Sequence, residues 1–195
     1  MASKPPVTDV TLDCVPSKDG NTLRFAYRVA NKSAGDIYVL DVLPTGEPPV
    51  ADINHGYAAW LNNGSATIHK GIPPVPGDRM VAVRLIPLGL KLAAGAVAER
   101  RLDIPMPFAE RNPYFGDLPL KEYVQQDVAE VRFVVQFLRA SVEGFGAAPS
   151  DLGAGLFRVW GKHTVGQAES LVCTFPTKGL AMLRRGDSIP RPLAP

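Results

Sequence analysis

The chain has few of the residues that mark specialised protein classes. Only 2 of its 195 residues are cysteines, too few for the disulfide framework of a small secreted domain. Its 21 Lys and Arg nearly balance its 19 Asp and Glu, so the net charge is only +2 and no nucleic-acid partner is expected. No run of 18 apolar residues occurs, so no membrane span is predicted. Residues 1–10 lack the apolar core of a secretory signal, so we expect a cytoplasmic protein.

Motifs of common catalytic and cofactor sites are also missing. There is no G-x-S-x-G nucleophile elbow and no H-E-x-x-H metal motif. The glycine pairs at 144/146 and 153/155 do not complete G-x-G-x-x-G. These gaps favour a non-enzymatic protein, and no cofactor is predicted.

Proline and glycine, by contrast, are abundant. The 19 Pro and 18 Gly argue against a helical bundle, because both residues interrupt helices. An apolar fraction of 46% is too high for a long disordered chain. The composition therefore predicts one globular domain with many turns.

Short runs of alternating apolar residues separated by turn residues predict strands. The clearest run is Leu23, Phe25, Tyr27 and Val29. Residues 37–43 are apolar on both faces, which predicts a central strand in which a buried Asp41 needs a partner. Further strands are predicted at 10–14, 57–61, 66–69, 80–86, 97–104, 156–160 and 170–175.

This spacing predicts an all-β fold, a single antiparallel β-sandwich of seven to nine strands. The segment Leu23 to Val42 is similar to the paired strands of immunoglobulin-like domains, although the Cys–Trp–Cys spacing of that fold is lacking. The resemblance implies an immunoglobulin-like sandwich, with a jelly roll as the alternative topology.

Residues 118–142 fit two patterns. Alternation and the Val and Phe content of 131–138 predict a strand near 129–140, and the Lys, Glu and Gln of 119–127 predict a short helix near 119–126. The alternative is one amphipathic helix over 118–142.

Residues 178–195 differ in composition from the rest. They are basic and rich in proline, which predicts an extended C-terminal tail after a sandwich domain of residues 1–177.

We interpret the chain as a protein-binding or scaffolding module that acts through loops, a sheet edge or the tail, with another protein or a second copy as partner. The loops 105–119 and 144–155 and the tail carry the candidate contact residues, which are Phe108, Tyr114, Phe115, Phe145, Arg184, Arg185 and Arg191.

Two other functions fit the sequence. One is a self-assembling subunit of a shell or appendage, since sandwiches tile well. The other is a small-ligand or metal-binding protein, or an enzyme, with a site near Asp52, His55 and His69, where the two histidines are the candidate metal ligands. Cys14 and Cys173 are either free buried thiols or a disulfide between the first and last strands.

Overall fold

The structure is a computed structural model that describes residues 9–53, 58–62, 64–75, 80–115, 119–161 and 164–186. Within these ranges the chain forms fourteen strands. They are β1 (Val10–Asp19), β2 (Thr22–Asn31), β3 (Ile37–Val42), β4 (Pro44–Thr45), β5 (Val50–Ala51), β6 (Ala58–Asn62), β7 (Ser65–Lys70), β8 (Leu88–Leu92), β9 (Val97–Pro105), β10 (Phe108–Ala109), β11 (Tyr123–Arg139), β12 (Gly146–Pro149), β13 (Leu156–Trp160) and β14 (Glu169–Arg185).

Two sheets face each other, as the sequence predicted. The small sheet has the order β1-β2-β9, and the large sheet has the order β10-β14-β11-β3-β8-β13-β12, with β7 and β6 beside β11. The core between them joins inward residues of both sheets. The rings of Phe25 in β2 and Phe133 in β11 stack with their centroids 5.0 Å apart. The predicted β-sandwich is therefore confirmed, with more strands than the seven to nine expected.

The large sheet is mixed rather than purely antiparallel. β7 pairs with β11 in parallel, and β10 pairs with β14 in parallel. A parallel neighbour requires a long connection, and the chain between β7 and β11 is long enough to supply one. The longest strand pair, β11 with β14, is antiparallel and has one register shift, between Val128 and Glu130.

The contested segment is mostly strand. A single 3-10 turn at Leu120–Glu122 leads directly into β11, so the helix predicted near 119–126 is wrong beyond that turn. The long helical alternative is wrong as well. Pairing with both β7 and β14 favours the extended conformation, because it satisfies the backbone groups of β11 on both sides. None of the helical segments in the described ranges has the length and apolar character needed to cross a bilayer.

Two other predicted boundaries change. Residues 80–86 are not a strand, and the pairing strand in this region is β8, between β3 and β13. A side chain at Gly89 of β8 would lie 2.9 Å from Cβ of Tyr38, so only glycine fits this close approach. The predicted loop 144–155 contains the edge strand β12.

The predicted domain boundary at 177/178 falls inside a strand. β14 continues to Arg185, because its second half pairs with residues 123–128 of β11. The buried carboxylate of Glu110 also helps to hold this end, since it accepts hydrogen bonds from the backbone N–H of Leu61 at 2.7 Å and of Arg185 at 3.0 Å. The tail residues 187–195 lie outside the described ranges.

A second, smaller apolar cluster covers part of the outer face of the large sheet. It contains Tyr38 and Leu40 of β3 together with Ile72, Leu138 and Val159. Strand β3 is consequently buried on both faces, as its continuous apolar run predicted.

Cys14 and Cys173 are free thiols in this structure. They lie in β1 of the small sheet and β14 of the large sheet, which contact each other across the sandwich. Burial raises the pKa of Cys14 to about 12. The Sγ of Cys173 donates to the carbonyl oxygen of Leu12 at 3.4 Å.

Candidate binding groove

The outer face of the large sheet carries a groove beside the second apolar cluster. Its volume is about 310 Å³, and four adjacent strands form its floor. We call it the outer groove, and it is lined by Trp60, Asn62, Ser65, Thr67, His69, Ile72, Pro73, Pro74, Arg84, Arg132, Val134, Gln136, Val165, Ser170 and Val172.

Strand periodicity explains why these residues share one face. Arg132, Val134 and Gln136 of β11 alternate with Val131, Phe133 and Val135, and the latter three lie in the main core. Because successive side chains of a strand point to opposite faces, the residues between the core positions must face outward. The floor of the groove is thus the reverse side of the sandwich core.

At one wall of the groove, both backbone polar groups of Ile72 form hydrogen bonds with side chains of the floor. The N–H of Ile72 donates to Oε1 of Gln136 at 2.9 Å. The carbonyl of Ile72 accepts from Nε2 of His69 at 3.1 Å, which requires the tautomer protonated at Nε2. A side chain at Gly71 would lie 2.5 Å from Oε1 of Gln136, so the glycine leaves room for this arrangement.

His69 is a neutral part of the floor. It is buried, and burial lowers its pKa to about 4. Its ring lies 5.8 Å from the ring of Trp60. With so low a pKa, His69 is a poor general base at neutral pH, and its Nε2 is engaged by the carbonyl of Ile72.

Gln136 links the wall to the opposite side of the floor. Its Nε2 donates to Oγ of Ser170 at 3.2 Å, which fixes the orientation of the amide. Since Ser170 accepts this bond, its own hydroxyl hydrogen remains available for another acceptor.

The charge of the groove is positive. Arg84 and Arg132 contribute two guanidinium groups, and no acidic residue is among the described residues of the lining. Neither arginine forms an ion pair within the described part of the chain. The neighbouring carboxylate of Glu130 accepts a hydrogen bond from Ser65 at 3.2 Å. The groove can therefore accept an anionic group.

A second polar region lies between the sheets. We call it the inner polar cluster, and it consists of Tyr27, Asp41, Lys70 and Arg100. Nζ of Lys70 donates to the Tyr27 hydroxyl at 3.0 Å, and that hydroxyl donates to Oδ2 of Asp41 at 3.0 Å. Nε of Arg100 is 3.7 Å from the same Oδ2. Oδ2 of the buried Asp41 thus has the partners that the sequence predicted it would need, whereas its Oδ1 has no hydrogen-bond partner within the described part of the chain.

Burial shifts the ionisation of this cluster. It lowers the pKa of Lys70 to about 8 and, with the adjacent Asp41 carboxylate, raises the pKa of Tyr27 well above its usual value. Lys70 also donates to the carbonyl of Ile53 at 2.6 Å. Lys70 and Asp41 are both 0% exposed, and their contacts with Tyr27 and Arg100 join the large sheet to the small sheet.

The aromatic residues predicted as partner contacts lie in different places. Phe108 is only 4% exposed and belongs to the core, so its prediction as a contact residue is wrong. Phe145 packs against Tyr38 with ring centroids 4.9 Å apart. The Tyr114 hydroxyl accepts from the N–H of Leu85. These contacts give each ring a role in packing, and they do not form one patch.

The predicted basic contacts also separate. The guanidinium of Arg185 lies 5.7 Å from the ring of Phe115, and Arg185 is 8% exposed, too buried for the surface contact predicted. Arg184 donates to Gln126 at 3.5 Å. Arg191 lies outside the described ranges.

Two of the three residues of the predicted metal site lie within the described ranges. His69 lies in the outer groove, Asp52 lies in a turn after β5, and His55 lies outside the described ranges. The described residues contain no cluster of three or more His, Cys, Asp or Glu side chains that could hold a metal ion.

Our sequence predictions missed the groove, although one signal was present. The alternation of 131–138 places Arg132 and Gln136 on the face opposite the core, and the hairpin at 58–70 places Trp60 and Thr67 on its own outer face. Only the pairing of β7 with β11 brings these faces together.

Comparison of the chain with protein-family models, with curated proteins and with solved structures finds no match to any of them.

Proposed function

We propose that this protein is a non-enzymatic binding module that holds an acidic side chain of a partner protein in the outer groove. The observation that carries the proposal is the pair of arginines, Arg84 and Arg132, in a groove whose described lining contains no acid. A guanidinium matches a carboxylate in shape and charge and binds it through two parallel hydrogen bonds.

The remaining lining supports a protein partner. Trp60 and the prolines at 73 and 74 give the groove an apolar side, and Ser170 offers a hydroxyl donor. Tryptophan and arginine are enriched at the centres of protein interfaces. A volume of about 310 Å³ is at the lower end for ligand sites and accommodates a few side chains.

Immobilised peptide pools test this proposal. One pool combines acidic and apolar residues at random, and the other combines basic and apolar residues. We expect the protein to be retained by the acidic pool only, and the Arg84→Gln, Arg132→Gln double variant to lose about tenfold or more in retention, as loss of a charged interface contact implies.

Arg28→Gln is the matched control. Arg28 is a half-exposed arginine of the small sheet that pairs with Asp13 at 3.7 Å, outside the groove. This variant should bind like the wild type. Equal retention on both pools, or equal retention of the double variant and the wild type, would refute the proposal.

A further inference from the structure

One row of side chains crosses the floor of the outer groove from strand to strand. In the register of the large sheet, Thr67 of β7 lies between Trp60 of β6 and Arg132 of β11. All three side chains line the groove. Because neighbouring strands are about 5 Å apart, the Thr67 hydroxyl and the Arg132 side chain serve the same part of the groove.

The side chain of Thr67 is buried, yet its hydroxyl has no partner. The residue is only 7% exposed, and its hydroxyl forms no hydrogen bond with any of the described residues. The side-chain atoms of the described ranges that are both enclosed and without a hydrogen bond are Oδ1 of Asp41 and Nε of Arg100. The Thr67 oxygen is therefore not enclosed and reaches the open groove. Because buried hydroxyls are normally hydrogen-bonded, this one points to a ligand that supplies the acceptor.

The charges and donors of the groove suit an anion with a charge of about −2. Arg84 and Arg132 contribute two positive charges, and the described lining holds no acid. A carboxylate compensates only one of these charges, whereas a phosphate monoester carries about −1.5 to −2 at pH 7 and has three acceptor oxygens. The hydroxyls of Thr67 and, farther along the floor, of Ser170 add donors to those of the two guanidinium groups.

We infer that the acidic group of the partner is the phosphate of a phosphorylated side chain, held by Arg132 and Thr67 while Arg84 adds a second positive charge. The inference rests on the proposed function and deepens it, because it makes binding depend on phosphorylation of the partner. Arg132 would donate two parallel hydrogen bonds to two phosphate oxygens, and Thr67 would donate to the third. Trp60, on the other side of Thr67, would pack against the apolar neighbours of the phosphorylated residue.

Three fluorescein-labelled peptides of otherwise identical sequence test the inference by fluorescence anisotropy. They carry phosphoserine, glutamate or serine at the centre, with leucine on both sides. We expect the phosphoserine probe to bind about tenfold more tightly than the glutamate probe, because the phosphate gains a further charge interaction and the hydrogen bond from Thr67. The serine probe should not bind, since it offers no anion to the arginines.

Variants on both sides of Arg132 assign the contact. Thr67→Val removes the hydroxyl but keeps a branched side chain of similar size, so it should weaken the phosphoserine probe by about tenfold and the glutamate probe by clearly less. Thr174→Val is the matched control, because Thr174 of β14 is the other neighbour of Arg132 but lies outside the groove lining. It should bind both probes like the wild type. An unchanged melting temperature shows that each variant is folded.

The outcomes separate this inference from the proposed function. If the two charged probes bind equally well and Arg132→Gln weakens both, the preference for phosphate is wrong and the proposed function stands. Equal effects of Thr67→Val and Thr174→Val would likewise overturn the inference alone. If neither charged probe binds, or Arg132→Gln weakens neither, both proposals are wrong. If inorganic phosphate displaces the phosphoserine probe at concentrations close to the Kd of that probe, the ligand is free phosphate and the phosphorylated partner is wrong.

Discussion

The inner polar cluster and the outer groove meet on strand β7 but differ in how their charges are compensated. Lys70 points between the sheets and donates to Tyr27 and Ile53, so its charge is fully engaged. His69, one residue earlier, points to the groove and is neutral. The cations of the groove, Arg84 and Arg132, have no ion-pair partner among the described residues.

This difference in charge compensation indicates two roles for polar residues of the same sheet, a structural role in the inner polar cluster and a binding role in the outer groove. Buried charges persist in a fold only when they are paired and hydrogen-bonded, because desolvation is otherwise too costly. Charges at a solvent-accessible groove keep their hydration and remain available for a partner. We therefore expect substitutions in the inner polar cluster to change stability, and substitutions of the groove arginines to change binding.

The largest expected effect is that of Lys70→Met. This variant leaves the Tyr27 hydroxyl and the Ile53 carbonyl without their charged donor, while Asp41 keeps its ion pair with Arg100. We expect the free energy of unfolding to fall by about 3–5 kcal/mol, because two buried oxygens lose a charged donor. Urea denaturation followed by tryptophan fluorescence measures it.

Two further variants sharpen that result. Arg132→Gln should change the free energy of unfolding by less than about 0.5 kcal/mol, as expected for a groove residue without a partner. Combining Lys70→Met with Asp41→Asn should recover no stability, because Asp41 keeps Arg100 as its ion-pair partner in the single variant and its loss leaves that guanidinium without a carboxylate. A loss for Lys70→Met no larger than that for Arg132→Gln would contradict the comparison.

The next largest effect is a fall in the free energy of unfolding at acid pH, caused by His69 of the outer groove. Burial lowers the pKa of His69 to about 4 from 6.5, so between these values the unfolded chain binds more protons than the folded one. Stability should therefore fall as pH falls from 6.5 to 4, by about 3 kcal/mol in total. Denaturation at several pH values measures the loss.

His69→Gln keeps a donor for the Ile72 carbonyl but does not titrate, so its stability should fall less over this range. Lys70 adds nothing to the slope, because with a pKa of about 8 it is protonated in both states below pH 7. The pKa of Asp9 is lowered by its hydrogen bond to Arg139, and this contribution is present in both proteins. Parallel curves for His69→Gln and the wild type would count against the assignment.

The smallest effect concerns the wall of the groove. In Gly71→Ala the new Cβ would lie 2.7 Å from Cβ of Gln136, so the side chain must leave its bond with Ile72. We expect a loss of about 2 kcal/mol from overpacking. Thermal or urea unfolding checks it.

Shortening the neighbour provides the control for this prediction. Gln136→Gly removes the Cβ as well as the rest of the side chain and so makes room for the added methyl group, and Gly71→Ala should cost clearly less in that background than in the wild type. Equal costs in both backgrounds would show that the two residues do not compete for space.

Much of the fold could be predicted because its strands have simple local patterns. Leu23 to Val29 alternate cleanly, and the apolar run at 37–42 correctly indicated a strand buried on both faces. Residues 80–86 have a similar apolar content but form no strand. The sequence analysis missed β8, because Gly89 allows close packing against Tyr38 but has a low strand propensity.

The candidate site was less predictable. Aromatic and basic residues in proline-rich and glycine-rich loops suggested a binding patch, but Phe108 is buried and Phe145 packs against Tyr38. Exposure of a loop aromatic depends on what packs over it, which composition does not reveal. The groove residues occupy ordinary outward positions of strands, and nothing in the local sequence distinguishes them from a solvated face.

The sequence by itself determined the all-β class, the inward residues of most strands and the need of Asp41 for a buried partner. These follow from the two-residue period of strands and from the cost of burying a charge. Tertiary structure decided which strands became neighbours. The parallel pairing of β7 with β11 brings Thr67 and His69 beside Arg132 and Gln136, and the packing of the sheets brings Lys70 to Tyr27. Such pairings depend on contacts between residues far apart in the chain, and so they arise only when the whole domain folds.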